Sequence, residues 1–221
     1  MSTLVSPANR STNWSGFSIN LELALRIYLF LTMSIYGWGK LAGDQFFIRG
    51  NVPPEIASKT LTEATAHDIA WVFFGYSAAY LWFIGISQGL TAIMLLLEKT
   101  KILGIAAMIP IMLNVIVVDI CYGVSPGPLM SAILYFVWTG ILIYLNRERI
   151  GALLRLATGQ SSPPAVPEIH PHPTRKPWLI LGIMAGMAIL ELSLFLLLHF
   201  NVRKTKDFWF FKEAINAVLI F

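Results

Sequence analysis

The stretch LELALRIYLFLTMSIYGWGKLAGDQFF, Leu21 to Phe47, limits what this chain can become more than any other. Its charges stand only near the ends, Glu22 and Arg26 at the start and Lys40 and Asp44 at the finish, and the run from Ile27 to Gly39 carries none. At ~1.5 Å per helical residue, Glu22 and Lys40 fall roughly 27 Å apart, close to the ~30 Å hydrocarbon thickness of a bilayer. In lipid a lone segment satisfies its backbone polar groups only as a helix, so this stretch is predicted to cross a membrane with a charged group at each surface. A turn of ~100° per residue returns Lys40 to the azimuth of Glu22, with Arg26 about 40° away. One face therefore holds all three charges and is expected to point into a helix bundle, because lipid solvates charge poorly.

Four more apolar segments follow, at about Ala70–Leu97, Ile102–Tyr122, Leu129–Leu145 and Trp178–Phe200. With 56% hydrophobic and 13% charged residues and a mean hydropathy of +0.67, the chain is no ordinary soluble domain. The predicted fold class is an all-α membrane protein, a four-helix transmembrane bundle over 21–149 with an appended fifth transmembrane helix at 178–200. The second segment is longer than a perpendicular span needs, so it must tilt, kink or protrude. Its Trp71, Tyr76, Tyr80 and Trp82 suit an interfacial belt. Pro110 is expected to kink the third helix unless neighbours satisfy the freed carbonyl.

Residues 1–20 are polar, with Arg10 as their one basic residue, and are read as a cytoplasmic segment rather than a cleaved leader. Half of the 12 prolines fall between Ala157 and Pro177, so 150–177 is expected to be a proline-rich cytoplasmic tether. The tail, 201–221, opens with Arg203, Lys204 and Lys206 and ends in FWFFKEAINAVLIF, too short to span and suited to the interface.

Arg10, Lys99, Lys101, Arg147, Arg149, Arg155, Arg175 and Lys176 lie on the side of the N-terminus, against Arg49 and Lys59 in the opposite loops. The positive-inside rule then makes the N-terminus cytoplasmic in a multi-pass protein of the bacterial inner membrane, although it leaves the basic tail outside. The net charge of +4 suits anionic lipid headgroups and is too diffuse for nucleic acid.

This orientation brings Lys40 and Asp119 to the same membrane surface, where an ion pair between them, with Tyr122 and Gln45 beside it, is the sharpest candidate site. It reads either as a structural bridge that staples two helices or as a catalytic or substrate-binding group. Asn114 lies about 7 Å deeper and about 140° around from Asp119, with Cys121 on its side of the helix. Gln88 is expected to hydrogen-bond across helices in the cytoplasmic half. Glu168, His170 and His172 in EIHPHP resemble a metal tract only superficially, and no metal site is expected. A single cysteine, Cys121, rules out an internal disulfide or cysteine-ligated cluster, and no span carries histidines at haem-ligand spacing.

Glu191 sits in the middle of the fifth span, where an unpaired carboxylate is expensive. Gly182 and Gly186 on the same helix permit close packing but lie about 180° away. Two faces that both prefer protein to lipid imply a partner, either another integral membrane subunit or a second copy, with Trp209 of the tail as a further contact.

The runs YGWGKLAGDQF, FIGISQGLTAIMLLLEKTKILG and MLNVIVVDICYGV resemble the DoxX family of bacterial membrane proteins over roughly Leu21 to Arg149. The resemblance implies a four-helix bundle, with some members tied to thiosulfate:quinone oxidoreduction and others accessory. Lys40 matches the basic end of helix one, and Gln88 stands where many members have a glutamate. The expected function is an accessory subunit of a larger membrane complex, such as an electron-transfer complex, with no catalytic residue of its own. The alternative is a quinone-reducing component in which Lys40, Asp119 and Tyr122 hold the headgroup. No covalent cofactor is expected; a quinone or lipid is the candidate ligand.

Overall fold

The structure is a computed structural model that describes residues 16–43, 45–159 and 175–204, with side chains as far as residue 198. Trp209, Asp44 and the Glu168–His170–His172 tract lie outside the described residues. In chain order the helices are α1 (Gly16–Ala42), α2 (Pro54–Ala57), α3 (Ala66–Tyr76), α4 (Ala78–Leu96), α5 (Lys101–Cys121), α6 (Pro126–Leu145), α7 (Arg147–Ala157) and α8 (Pro177–Lys204). Among them α1, α4, α5, α6 and α8 are long and apolar enough to cross a membrane, so the chain is an all-α multi-pass membrane protein.

Helices α1, α4, α5 and α6 close a ring in which each packs on the next, and α8 lies in the outer groove between α1 and α6. Leu25, Leu29 and Met33 of α1 meet Ala92 and Leu95 of α4, Ile105, Met108 and Met112 of α5, and Tyr135 and Leu142 of α6. This stripe has helical spacing. Without a hydrophobic drive between helices in lipid, the ring depends on close packing and polar clips. Two glycine contacts supply the first. A Cβ on Gly37 would come 3.1 Å from the Gly85 carbonyl oxygen, and one on Gly104 would come 2.6 Å from the Leu95 nitrogen.

The apolar run from Ala70 to Leu97 is two helices rather than one kinked span. It breaks at Ser77, which has extended φ and ψ of −110° and 114° and caps α4 by accepting from the Tyr80 amide. Helix α3, started by the reciprocal Thr65–Asp68 capping box, is thus freed from α4 to form the end cap of the bundle opposite the N-terminus. Residues 47–49 lie along it, with Phe47 N donating to Trp71 O and Arg49 N to Gly75 O. Trp71 and Tyr76 therefore belong to this cap and not to a span. Helix α5 runs unbroken through Pro110, which sits on its exposed face. Helix α6 starts at Pro126, three residues before the expected Leu129, because proline is well tolerated at N1. Helix α7, with apolar Leu153, Leu154 and Leu156 exposed beside three arginines, occupies the first part of the expected tether.

The side of the bundle that carries the N-terminus of α1 is tied by charge. Arg26, 4% exposed, donates to Leu95 O at 2.7 Å and Leu96 O at 2.6 Å, and pairs with Glu98 at 2.6 Å. It thereby occupies carbonyls at the end of α4 that have no partner within the helix. Lys101 pairs with Glu22 and Glu98, each at 2.6 Å, and Arg149 reaches Glu98 at 3.0 Å. Asn20 Oδ1 accepts from the Lys176 amide, which pins the start of α8 to α1. Burial alone would push the Glu98 carboxyl up, but the hydrogen bonds from Lys101 and Arg26 outweigh it and hold the group down at about 2, below its ordinary 4.5. A depressed pKa stabilises the fold fully above the unfolded value and loses that contribution as pH falls from about 4.5 toward 2. Melting curves in detergent should show the advantage of wild type over Glu98→Gln shrinking across that window; a constant difference would dissociate Glu98 from the network.

Candidate membrane cavity

A cavity of about 410 Å³ opens within the ring, toward the α3 cap. Helix α1 contributes Met33, Tyr36 and Lys40, α4 contributes Gln88, α5 contributes Met112 and Asp119, and α6 contributes Ala132 and Tyr135. Gln45 and Trp71 of the cap stand at its outer end. The face shared by Glu22, Arg26 and Lys40 does point inward, and Lys40 is 6% exposed.

Lys40 and Asp119 line the same cavity but do not form the expected ion pair, for no oxygen of Asp119 comes within 4.0 Å of the Lys40 nitrogen. The ammonium instead sits 5.8 Å from the Tyr36 ring centre and 5.9 Å from that of Phe46. Matched depth is readable from residue spacing; the gap across the bundle is not. Asp119, 7% exposed, and Gln88, 3% exposed, each keep a buried acceptor without a partner, Asp119 Oδ2 and Gln88 Oε1. Gln88 is therefore a wall of this cavity and not a hydrogen-bonded clip between helices. An unmet buried acceptor costs ~1–3 kcal/mol, and the two residues that carry one here both belong to the lining of this cavity.

Gln45 lines this cavity as well. Tyr122, at 38% exposed, does not line it, and Asn114 and Cys121 are exposed on the opposite side of α5. Among the described residues no group of three His, Cys, Asp or Glu could hold a metal.

Glu191 has partners that residue spacing along one helix could not reveal. Tyr28 of α1 donates to Oε2 at 2.5 Å, and Tyr135 of α6 donates to Oε1 at 2.6 Å. Tyr135 also lines the cavity, and its ring meets that of Tyr36 edge-on at 6.1 Å. The carboxylate face of α8 is thus taken by this chain's own bundle. Gly182 and Gly186, in contrast, are exposed, and a Cβ added at either would meet no atom within 4 Å.

No family model matches the sequence, and no solved structure matches it. A protein of Bacillus subtilis (strain 168) described as uncharacterized protein YwoB is 30% identical over 136 residues, which cover 62% of this chain and 83% of the relative.

Proposed function

The chain belongs to the family of the Bacillus subtilis protein YwoB, and from that premise we propose that it is a multi-pass protein of the bacterial cytoplasmic membrane that holds the head of a lipid-soluble quinol. Gln88 and Asp119, which line the cavity and each keep an acceptor without a partner, carry this reading. A quinol offers two O–H donors on a flat ring, and its oxygens can accept from the Lys40 ammonium. Lys40 and Asp119 offset one another in charge, which favours a neutral guest over an anionic headgroup. Tyr36, Trp71 and Tyr135 give aromatic walls, and about 410 Å³ lies within the usual range for a small-molecule site.

The role is that of a ligand-holding subunit rather than a complete enzyme. One cysteine in the whole chain cannot form a thiol pair or a cluster, so electrons would pass to and from a partner protein. The exposed Gly182 and Gly186 face of α8 favours a partner subunit in the membrane, and the resemblance to DoxX proteins favours an electron-transfer complex as its setting.

The test uses the full chain in lipid nanodiscs and a short-tailed naphthoquinol, with binding read from tryptophan fluorescence. Gln88→Met should raise the melting temperature of the empty protein, because an unmet acceptor worth ~1–3 kcal/mol is gone, while weakening quinol binding about tenfold or more. Asp119→Asn, which keeps an acceptor but adds donors, should weaken binding less. Binding that is unchanged in both variants, or absent in wild type, overturns the proposal.

A further inference from the structure

Glu191 is an intramembrane carboxylate held by two phenols, Tyr28 and Tyr135, rather than by a cation. Such a group is costly within a bilayer, and where one occurs it often carries protons. The elements packed on α8 are α1 and α6. From α1 the titratable groups on this side are Tyr28 and Tyr36, with Lys40 farther along at the cavity; from α6 it is Tyr135; and Asp119 faces the same cavity from α5. Only Tyr135 is shared, for its hydroxyl donates to Glu191 while its side chain forms part of the cavity wall. Tyr135 is 3% exposed.

The ionised carboxylate can accept from both phenols at once, one per oxygen. Once protonated it must donate, and one phenol must turn to accept. A carboxylate between two hydroxyls is therefore a switch between two hydrogen-bond arrangements, a property that a glutamine in its place would lack.

We propose that Glu191 is a proton-exchange site serving the cavity through the Tyr135 hydroxyl, so that a proton given up by the cavity's occupant is received on the fifth membrane-spanning helix. The Tyr135 O–H bond breaks as its proton passes to Glu191 Oε1, and a hydroxyl of the occupant gives its own proton to the Tyr135 oxygen. The occupant is left one proton poorer and Glu191 is neutral; no electrons move in this step. The inference rests on the quinol reading only for the identity of the donor. A water in the same cavity could supply the proton by the same path.

The experiment is infrared difference spectroscopy of the full chain in nanodiscs after a downward pH jump, first without ligand and then with the naphthoquinol. Wild type should gain a protonated-carboxyl band. Glu191→Gln should lose that band, and Asp119→Asn should keep it. Tyr135→Phe should retain the band but slow its growth by roughly a hundredfold, whereas Tyr28→Phe should leave the rate unchanged, since Tyr28 is not part of the cavity wall. Melting curves establish that each variant is folded; if Glu191→Gln is not, the two tyrosine variants decide. A band that survives in Glu191→Gln, or one that grows at the wild-type rate in Tyr135→Phe, overturns the proposal. A naphthoquinol that fails to bind while the Tyr135 dependence persists removes the ligand reading and leaves the proton site standing.

Discussion

Arg26→Met lowers the stability of the folded chain by about 3–5 kcal/mol, the usual loss when one partner of a buried ionic network is removed. The substitution keeps most of the side chain's length and removes its donors. It strands the Leu95 and Leu96 carbonyls at the end of α4 and deprives Glu98 of one of its cations. The effect is large because Arg26 is 4% exposed and water cannot take its place. Glu98→Gln should cost much less, since that side chain is 51% exposed and solvent screens it. Unfolding of the detergent-solubilised protein by added denaturing surfactant measures both. Equal losses in the two variants would mean that the network, and not the capping of α4 by Arg26, is what matters.

Gly75→Ala should be about as damaging, at roughly 3 kcal/mol or more, at the upper end of overpacking costs. A Cβ at Gly75 would lie 2.0 Å from the Phe47 carbonyl oxygen and 2.5 Å from its carbon. Backbone cannot rotate away as a side chain can, so residues 47–49 must lift off α3 and lose the Phe47–Trp71 and Arg49–Gly75 hydrogen bonds. Gln45 and Trp71 stand at the outer end of the cavity, so the lifted segment unroofs it. Limited proteolysis within 43–60 should become faster and naphthoquinol binding weaker. Gly140→Ala is the control: it is exposed with nothing within 4 Å, and a change near zero or a slight gain is expected. An intact Gly75→Ala cap would show that α3 can yield.

The five spans are legible in the sequence because apolar runs of bilayer length have few alternatives, and so is the inward face of α1, because Glu22, Arg26 and Lys40 obey helical arithmetic. The break at Ser77 is not. The run through it is apolar on both sides, and the residues that dock along α3, 47–49, come from elsewhere in the chain. Arithmetic along one helix fixes depth and azimuth; it says nothing of how far apart two helices stand. For this reason spacing puts Lys40 and Asp119 at one level while the gap between them stays hidden, and Gln88 reads as a clip. The partners of Glu191 are beyond reach for the same reason, since tyrosines 163 and 56 residues away in sequence meet it only once α8 has settled between α1 and α6. Residue pattern argues for protein on both faces of α8. The bundle covers the carboxylate face.

The approach of Gly37 to the backbone of Gly85 brings α1 and α4 so near that a side chain added at Gly37 would press on the Gly85 carbonyl oxygen at 3.1 Å. The α1–α4 half of the cavity wall is thereby closely packed. The other half is where α6 begins with Pro126, Gly127 and Pro128 and where the Phe195 ring of α8 rests on Gly127. An opening on this flank would move the Phe195 ring off Gly127, and α8 also carries Glu191, so under the proton-exchange proposal the entry of a guest would disturb that carboxylate.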